Sequence, residues 1–293
     1  MTPFSILLIL LSAILHSFWN FITKKGNWPI AFFFWVFLSG TLLYLPLLIG
    51  LGVLPSLLLD ASPRLWWIVI SSGLFETIYF ISLVEAYRVG DLSFVYPISR
   101  SAPIFTQFWA MLFIGEILSI RGTLGIGLVV LGLFVISLND FRLTRMIPSP
   151  IQATSRPYLL ALTAAMASSI YSVIDKVGVQ IVHPVFYLWL INLWMTVDTG
   201  IYLILRKECS SLKVWRESRR EILLVTLFQN VAYLLILMAL QISKVSYVVA
   251  FRQVGALFGA LMGILLLKES HWKTRILGAF ILTLGLVFIG LAG

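Results

Sequence analysis

The sequence predicts an all-α polytopic membrane protein, with ten transmembrane helices arranged as two inverted five-helix repeats. Three observations predict it. Of 293 residues, 60% are hydrophobic and only 11% are charged, against roughly 25% charged in a soluble domain. The apolar residues gather into ten runs of crossing length, since a spanning helix needs about 20 of them. The chain also matches itself when slid along by about half its length.

The first run, 3–23, has no basic residue before it and no small-residue cleavage site, so it reads as a retained helix rather than a signal peptide. The next are 29–51 and 65–87, with Trp28, Trp66 and Trp67 as interface anchors. The fourth, 93–114, carries Pro97 and Pro103, and the fifth, 121–138, is rich in glycine. After the connection 139–157 come 158–177 and 184–206, then after 207–220 come 221–240, 245–267 and 274–292. These unbroken runs lack the alternation of a barrel strand. Neither long connection is big enough for a folded domain, so function must sit among the helices.

A gap-free shift of 153 positions sets Ala86 on Ala239, Ser93 on Ser246, Phe105 on Phe258 and Glu116 on Glu269. It also sets Gly125 on Gly278 and Gly132 on Gly285. Five is odd, so the second half enters the membrane from the opposite side, a plan common among secondary transporters. The expected division is 1–145, a linker 146–157, and 158–293. The formal charge of +9 points to topology rather than nucleic acid, because the basic residues lie in short gaps between apolar runs. Fifteen lie in the connections after odd-numbered runs and four on the other side. The positive-inside rule then puts the odd connections in the cytoplasm and both termini outside. Cys209 is the only cysteine, which excludes an intramolecular disulfide and a cysteine metal cluster.

Several stretches resemble the drug/metabolite transporter superfamily in its EamA-type branch of paired five-helix repeats. They are Leu15-His16-Ser17-Phe18-Trp19-Asn20 with Lys24; Ala86 through Arg100, including Gly-Asp-Leu-Ser and Tyr96-Pro97; and Gly115-Glu116 leading into the glycine-rich helix. Ala239 through Ser246, Lys268-Glu269, Gly278 and Gly285 repeat the pattern. The resemblance implies ten helices, alternating access, and export or uptake of small metabolites. The chain also looks like permeases associated with phosphonate-utilisation genes. It departs from the pattern at Ala250, which stands opposite Pro97. Many members of the superfamily are drawn with cytoplasmic termini, against the charge count.

An ionisable group at bilayer depth costs roughly 2.5–3.5 kcal/mol on insertion scales and faces the bundle interior or a wet cavity. Glu76 lies near the middle of the third run with Tyr79 a turn on, and Gln229, beside Asn230, is its repeat mate. Glu76 reads as a substrate amine contact or proton carrier, or as the buried partner of an arginine. Tyr96, Arg100, Pro103 and Gln107 share one helix face. The Arg100 guanidinium suits a carboxylate or phosphonate, or an ion pair with Glu76. Arg252 answers it across the repeat, on a stripe with Gly255, Gly259 and Gly263 that also suits helix packing. His16 and Asn20 share a face with Ser12 and Thr23; the matching face of the sixth run holds Ser168, Tyr171 and Asp175, with Asp175 and Lys176 expected near the interface. Asp198 is a possible counter-charge to a buried arginine. Glu116 and Glu269, at helix N-termini, read as structural.

No phosphate-binding glycine loop, metal spacing or nucleophile elbow is present. The expectation is therefore not an enzyme, with no cofactor. It is a secondary transporter of a small polar, anionic or zwitterionic metabolite, with a proton as candidate coupling ion. The alternatives are a flippase for a lipid-linked substrate and, less favoured, a membrane transferase. Its expected place is the bilayer of a bacterial or archaeal inner membrane, as monomer or homodimer, without nucleic acid.

Overall fold

The structure is a computed structural model that describes residues 1–24, 29–50, 52, 62–90, 92–138, 155–207, 211–258 and 272–292. The described residues form helices and their connections, with no strand among them. The helices are α1 (Pro3–Lys24), α2 (Ile30–Gly50), α3 (Pro63–Val89), α4 (Leu92–Ser99), α5 (Ala102–Ile114) and α6 (Ile120–Ser137). The second half gives α7 (Arg156–Ile181), α8 (Pro184–Leu205), α9 (Ser211–Ile242), α10 (Val245–Phe251) and α11 (Trp272–Gly290). Seven of these are long and apolar enough to cross a membrane, and Pro3–Trp19 within α1 and Val245–Phe258 are shorter apolar helical stretches. The remaining crossing is α4 and α5 together, broken between Ser99 and Ala102.

Local sequence explains the boundaries. Ser62 caps α3 by accepting from the Leu65 N–H, with Pro63 at the first turn. Ser119 caps α6 in the same way through Gly122. Gly115 ends α5 in the left-handed region, at φ 65°, where a residue without Cβ carries no strain. The outward faces are apolar. On α1, Phe4, Leu7, Leu11, Ile14 and Phe18 form one exposed stripe, as expected of a surface that meets lipid rather than water.

The packing has the symmetry of the repeat. α3 lies on α7 and α1 on α9, and exchanging the halves converts one pair into the other. The pairs α2–α8 and α6–α11 each map onto themselves. At the α6–α11 crossing, a Cβ on Gly125 would stand 2.8 Å from the Gly285 carbonyl, and one on Gly132 2.8 Å from the Gly278 carbonyl. The earlier glycine of each helix faces the later one of the other, so the helices run antiparallel. Gly125 matches Gly278 and Gly132 matches Gly285 in the repeat, so the two contacts are the same contact related by a pseudo-two-fold axis. This is the inverted repeat in atomic form.

One boundary differs from the sequence expectation. The connection 207–220 is helical from Ser211, continuing into the crossing through a kink at non-helical Ser218. The i,i+4 pair Lys213–Glu217 (3.9 Å) lies along it, and Trp215 stacks against Trp35 of α2 at 4.9 Å. Those contacts order a segment whose polarity alone reads as a loop. Gly259, Gly263, Glu269 and most of the connection 139–157 lie outside the described residues.

Candidate functional site

A cavity opens between the central turns of the helices from both halves. Ser12, His16 and Trp19 of α1, Glu76, Tyr79 and Phe80 of α3, and Tyr171 of α7 line it. So do Gln229, Ala232, Tyr233 and Ile236 of α9, and Arg252. Its volume is about 40 Å³, room for a few waters and not for a metabolite. Glu76 is 5% exposed, and its Oε1 has no hydrogen-bond partner. The Oε1 of Gln229, its repeat mate, is buried without a partner as well.

Beside the cavity lies Asp175, with no exposed surface. Ser72 Oγ and Tyr187 OH donate to its Oδ1, the latter at 2.8 Å, and Tyr233 OH donates to its Oδ2. The donors come from α3, α8 and α9, so one carboxylate ties three helices and both halves to α7. Its sequence neighbour Lys176 runs the other way, donating to the carbonyls of Leu240 (2.6 Å) and Ser243 (3.0 Å) at the end of α9. Asp175 is thus buried inside the bundle. α7 continues to Ile181, placing Asp175 well inside it, and Lys176 stretches to unsatisfied helix-end carbonyls.

The two intramembrane arginines stand at helix breaks. Arg100 and Ser101 separate α4 from α5, whose first turn contains Pro103. Arg252 opens a 3-10 turn, Arg252–Val254, directly after α10. The second half makes its break without the proline. The Arg100 guanidinium lies 5.5 Å from the Tyr96 ring centroid, and that of Arg252 5.8 Å from Tyr233, within cation–π range. Tyr79 and Tyr171 stand within electrostatic range of both. Neither arginine forms a salt bridge with a carboxylate among the described residues.

Of the residues singled out from sequence, His16, Glu76, Tyr79, Gln229 and Arg252 meet at the cavity. His16 Nδ1 accepts from Trp19 Nε1 at 3.0 Å. Tyr96 and Arg100 pair next to it, and Gln107, half-buried on α5, does not line it. Asn230 turns toward Asn192, whose Nδ2 donates to its Oδ1 at 2.8 Å; the pair sits against Gly40 of α2 as a helix contact. The Asn20 side chain lies outside the described residues. Asp198 accepts from Thr77 at 3.4 Å and from no arginine. Glu116 accepts from the N–H (3.1 Å) and hydroxyl (2.5 Å) of Ser246 at the start of α10, so the dipole it meets belongs to the other half. The sequence reading does not single out Ser72, Tyr187 or Tyr233. The available signal is spacing: Ser72 precedes Glu76 by four residues, and Tyr233 follows Gln229 by four. No group of three or more His, Cys, Asp or Glu side chains is placed to hold a metal among the described residues.

Among curated proteins, no match is found. A solved chain titled only as a crystal structure of a protein is similar at a TM-score of 0.77 and 15% identity. The match covers 99% of this chain and 98% of that one, and supports the fold alone. The EamA-like transporter family matches twice, over residues 3–138 and 155–291. The two matches flank the connection between the repeats and together span nearly all of the sequence; the chain belongs to the EamA-like transporter family, and it is a multi-pass membrane transporter of the drug/metabolite type.

Proposed function

We propose that the protein is a secondary transporter of a small polar metabolite that carries an anionic group, either a simple anion or a zwitterion, by alternating access. The observation that carries this reading is the pair of arginines at the two helix breaks, beside one central cavity and without a salt bridge to a carboxylate among the described residues. Broken helices near the midplane supply substrate sites in inverted-repeat transporters. A guanidinium fork fits a carboxylate or phosphonate in two parallel hydrogen bonds. Tyr79 and Tyr171 add hydroxyls between the arginines, and Glu76 and Gln229 bring acceptors for a donor group on the same ligand. The cavity is too small for such a ligand as it stands, so the halves must rock apart on one side to admit it.

The test is uptake into proteoliposomes of a labelled panel of amino acids, dicarboxylates and alkylphosphonates. For any compound carried, Arg100→Ala and Arg252→Ala are each expected to weaken apparent affinity by about 2 kcal/mol or more, roughly thirtyfold. Uptake unchanged in both variants would sink the site assignment.

A further inference from the structure

Tyr233 has one O–H, and it points at Asp175 Oδ2. Glu76 lines the same cavity as Tyr233. With its hydrogen committed to Asp175, Tyr233 offers Glu76 only lone pairs. An ionised Glu76 also offers only lone pairs, so the phenol gives its charge no support. The Oε1 of Glu76 is buried without a partner, a costly state for an anion and a milder one for an acid.

We infer that Glu76 is the proton-binding group of the cavity, while Asp175 stays ionised. Asp175 keeps its charge because it accepts three hydroxyl hydrogens. From the 3-10 turn, Arg252 faces Glu76 without a salt bridge; from α1, His16 lines the same cavity, its Nδ1 held by Trp19; from α7, Tyr171 lines it also. Tyr187 of α8 meets Asp175 rather than Glu76, and Arg100, over the Tyr96 ring, does not line the cavity. Water in the cavity supplies and removes the proton. Its use in transport rests on the reading above: an anion at the arginines and a proton on Glu76 favour each other reciprocally, so the two cross together in the same direction.

The experiment is infrared difference spectroscopy of the full-length protein in lipid nanodiscs, between acid and alkaline pH in sodium-free buffer. Expected is the carbonyl stretch of a protonated carboxylic acid. It is lost in Glu76→Gln. A Glu76→Gln spectrum identical to the parent overturns the inference. So does a band that disappears in Asp175→Asn and persists in Glu76→Gln, or one that follows sodium at fixed pH. Should Glu76→Gln not fold, Glu76→Asp is expected to shift the band, and an unshifted band counts against the assignment. A transporting protein with no such band defeats the proton site alone; an intact band in a protein that carries nothing on the panel defeats only the transport reading.

Discussion

At Asp175 a single carboxylate accepts hydroxyls from three helices that are distant in sequence. Hydrogen bonds to a charged group are worth about 1.5–3 kcal/mol, although side-chain bonds inside membranes average nearer 0.6 kcal/mol. Ser72→Ala and Tyr187→Phe are therefore each expected to destabilise the protein by about 1–2 kcal/mol in a detergent unfolding titration. Asp175→Ala, which strands three buried hydroxyls, is expected to cost more than either, and equal losses would speak against the node. This residue also marks how far sequence reaches. Glu76 and Arg252 are legible because charge inside an apolar run has few innocent explanations. Asp175 has one in Lys176 beside it, since adjacent opposite charges read as a helix end. Only the direction of each side chain, inward for the acid and along the axis for the lysine, separates the two.

Among the elements, the broken fourth span was the more legible of the two. Pro97 and Pro103 announce a bend, and α5 begins at Ala102 with Pro103 in its first turn. Its counterpart after Phe251 has no proline and breaks by tightening to a 3-10 turn, which no residue type announces. The glycine pattern was legible as a repeat, and its physical reason is the α6–α11 crossing. A methyl on residue 278 would stand 2.4 Å from the Ile136 nitrogen and 2.8 Å from the Gly132 carbonyl. Both are backbone atoms that cannot step aside, so Gly278→Ala is expected to cost about 1–3 kcal/mol. Gly127, on the same helix as Gly132, has nothing within 4 Å of such a methyl. Gly127→Ala is expected to be neutral or to stabilise by up to about 1 kcal/mol through helix propensity. Thermal unfolding of the two variants side by side checks the contrast.

For the whole molecule, several polar ties across the halves among the described residues lie at the end opposite the basic connections. Glu116 holds Ser246, and Lys244 Nζ donates to the Ile117 carbonyl at 2.6 Å. α9 and α7 are joined at the same end by Lys176. Glu116→Gln replaces an anion at the first turn of α10 by a neutral amide. It is expected to raise several-fold the rate at which a bulky water-soluble thiol reagent labels a cysteine placed at Gln229, in a background of Cys209→Ser. An unchanged rate would show that these ties do not limit access. Which face of the membrane this end meets follows from charge, and a reporter fused at Gly293 is expected to lie outside the cytoplasm.

The glycine crossing has one more consequence. Because each contact across it is repeated by its own mirror, the two halves are joined as the subunits of a homodimer are, by one patch meeting itself. The long connection adds a covalent tether to a docking that the glycines already specify. Co-expressed pieces 1–145 and 146–293 are accordingly expected to find one another in the bilayer and co-purify. The same pieces bearing Gly132→Leu and Gly278→Leu are expected to stay apart.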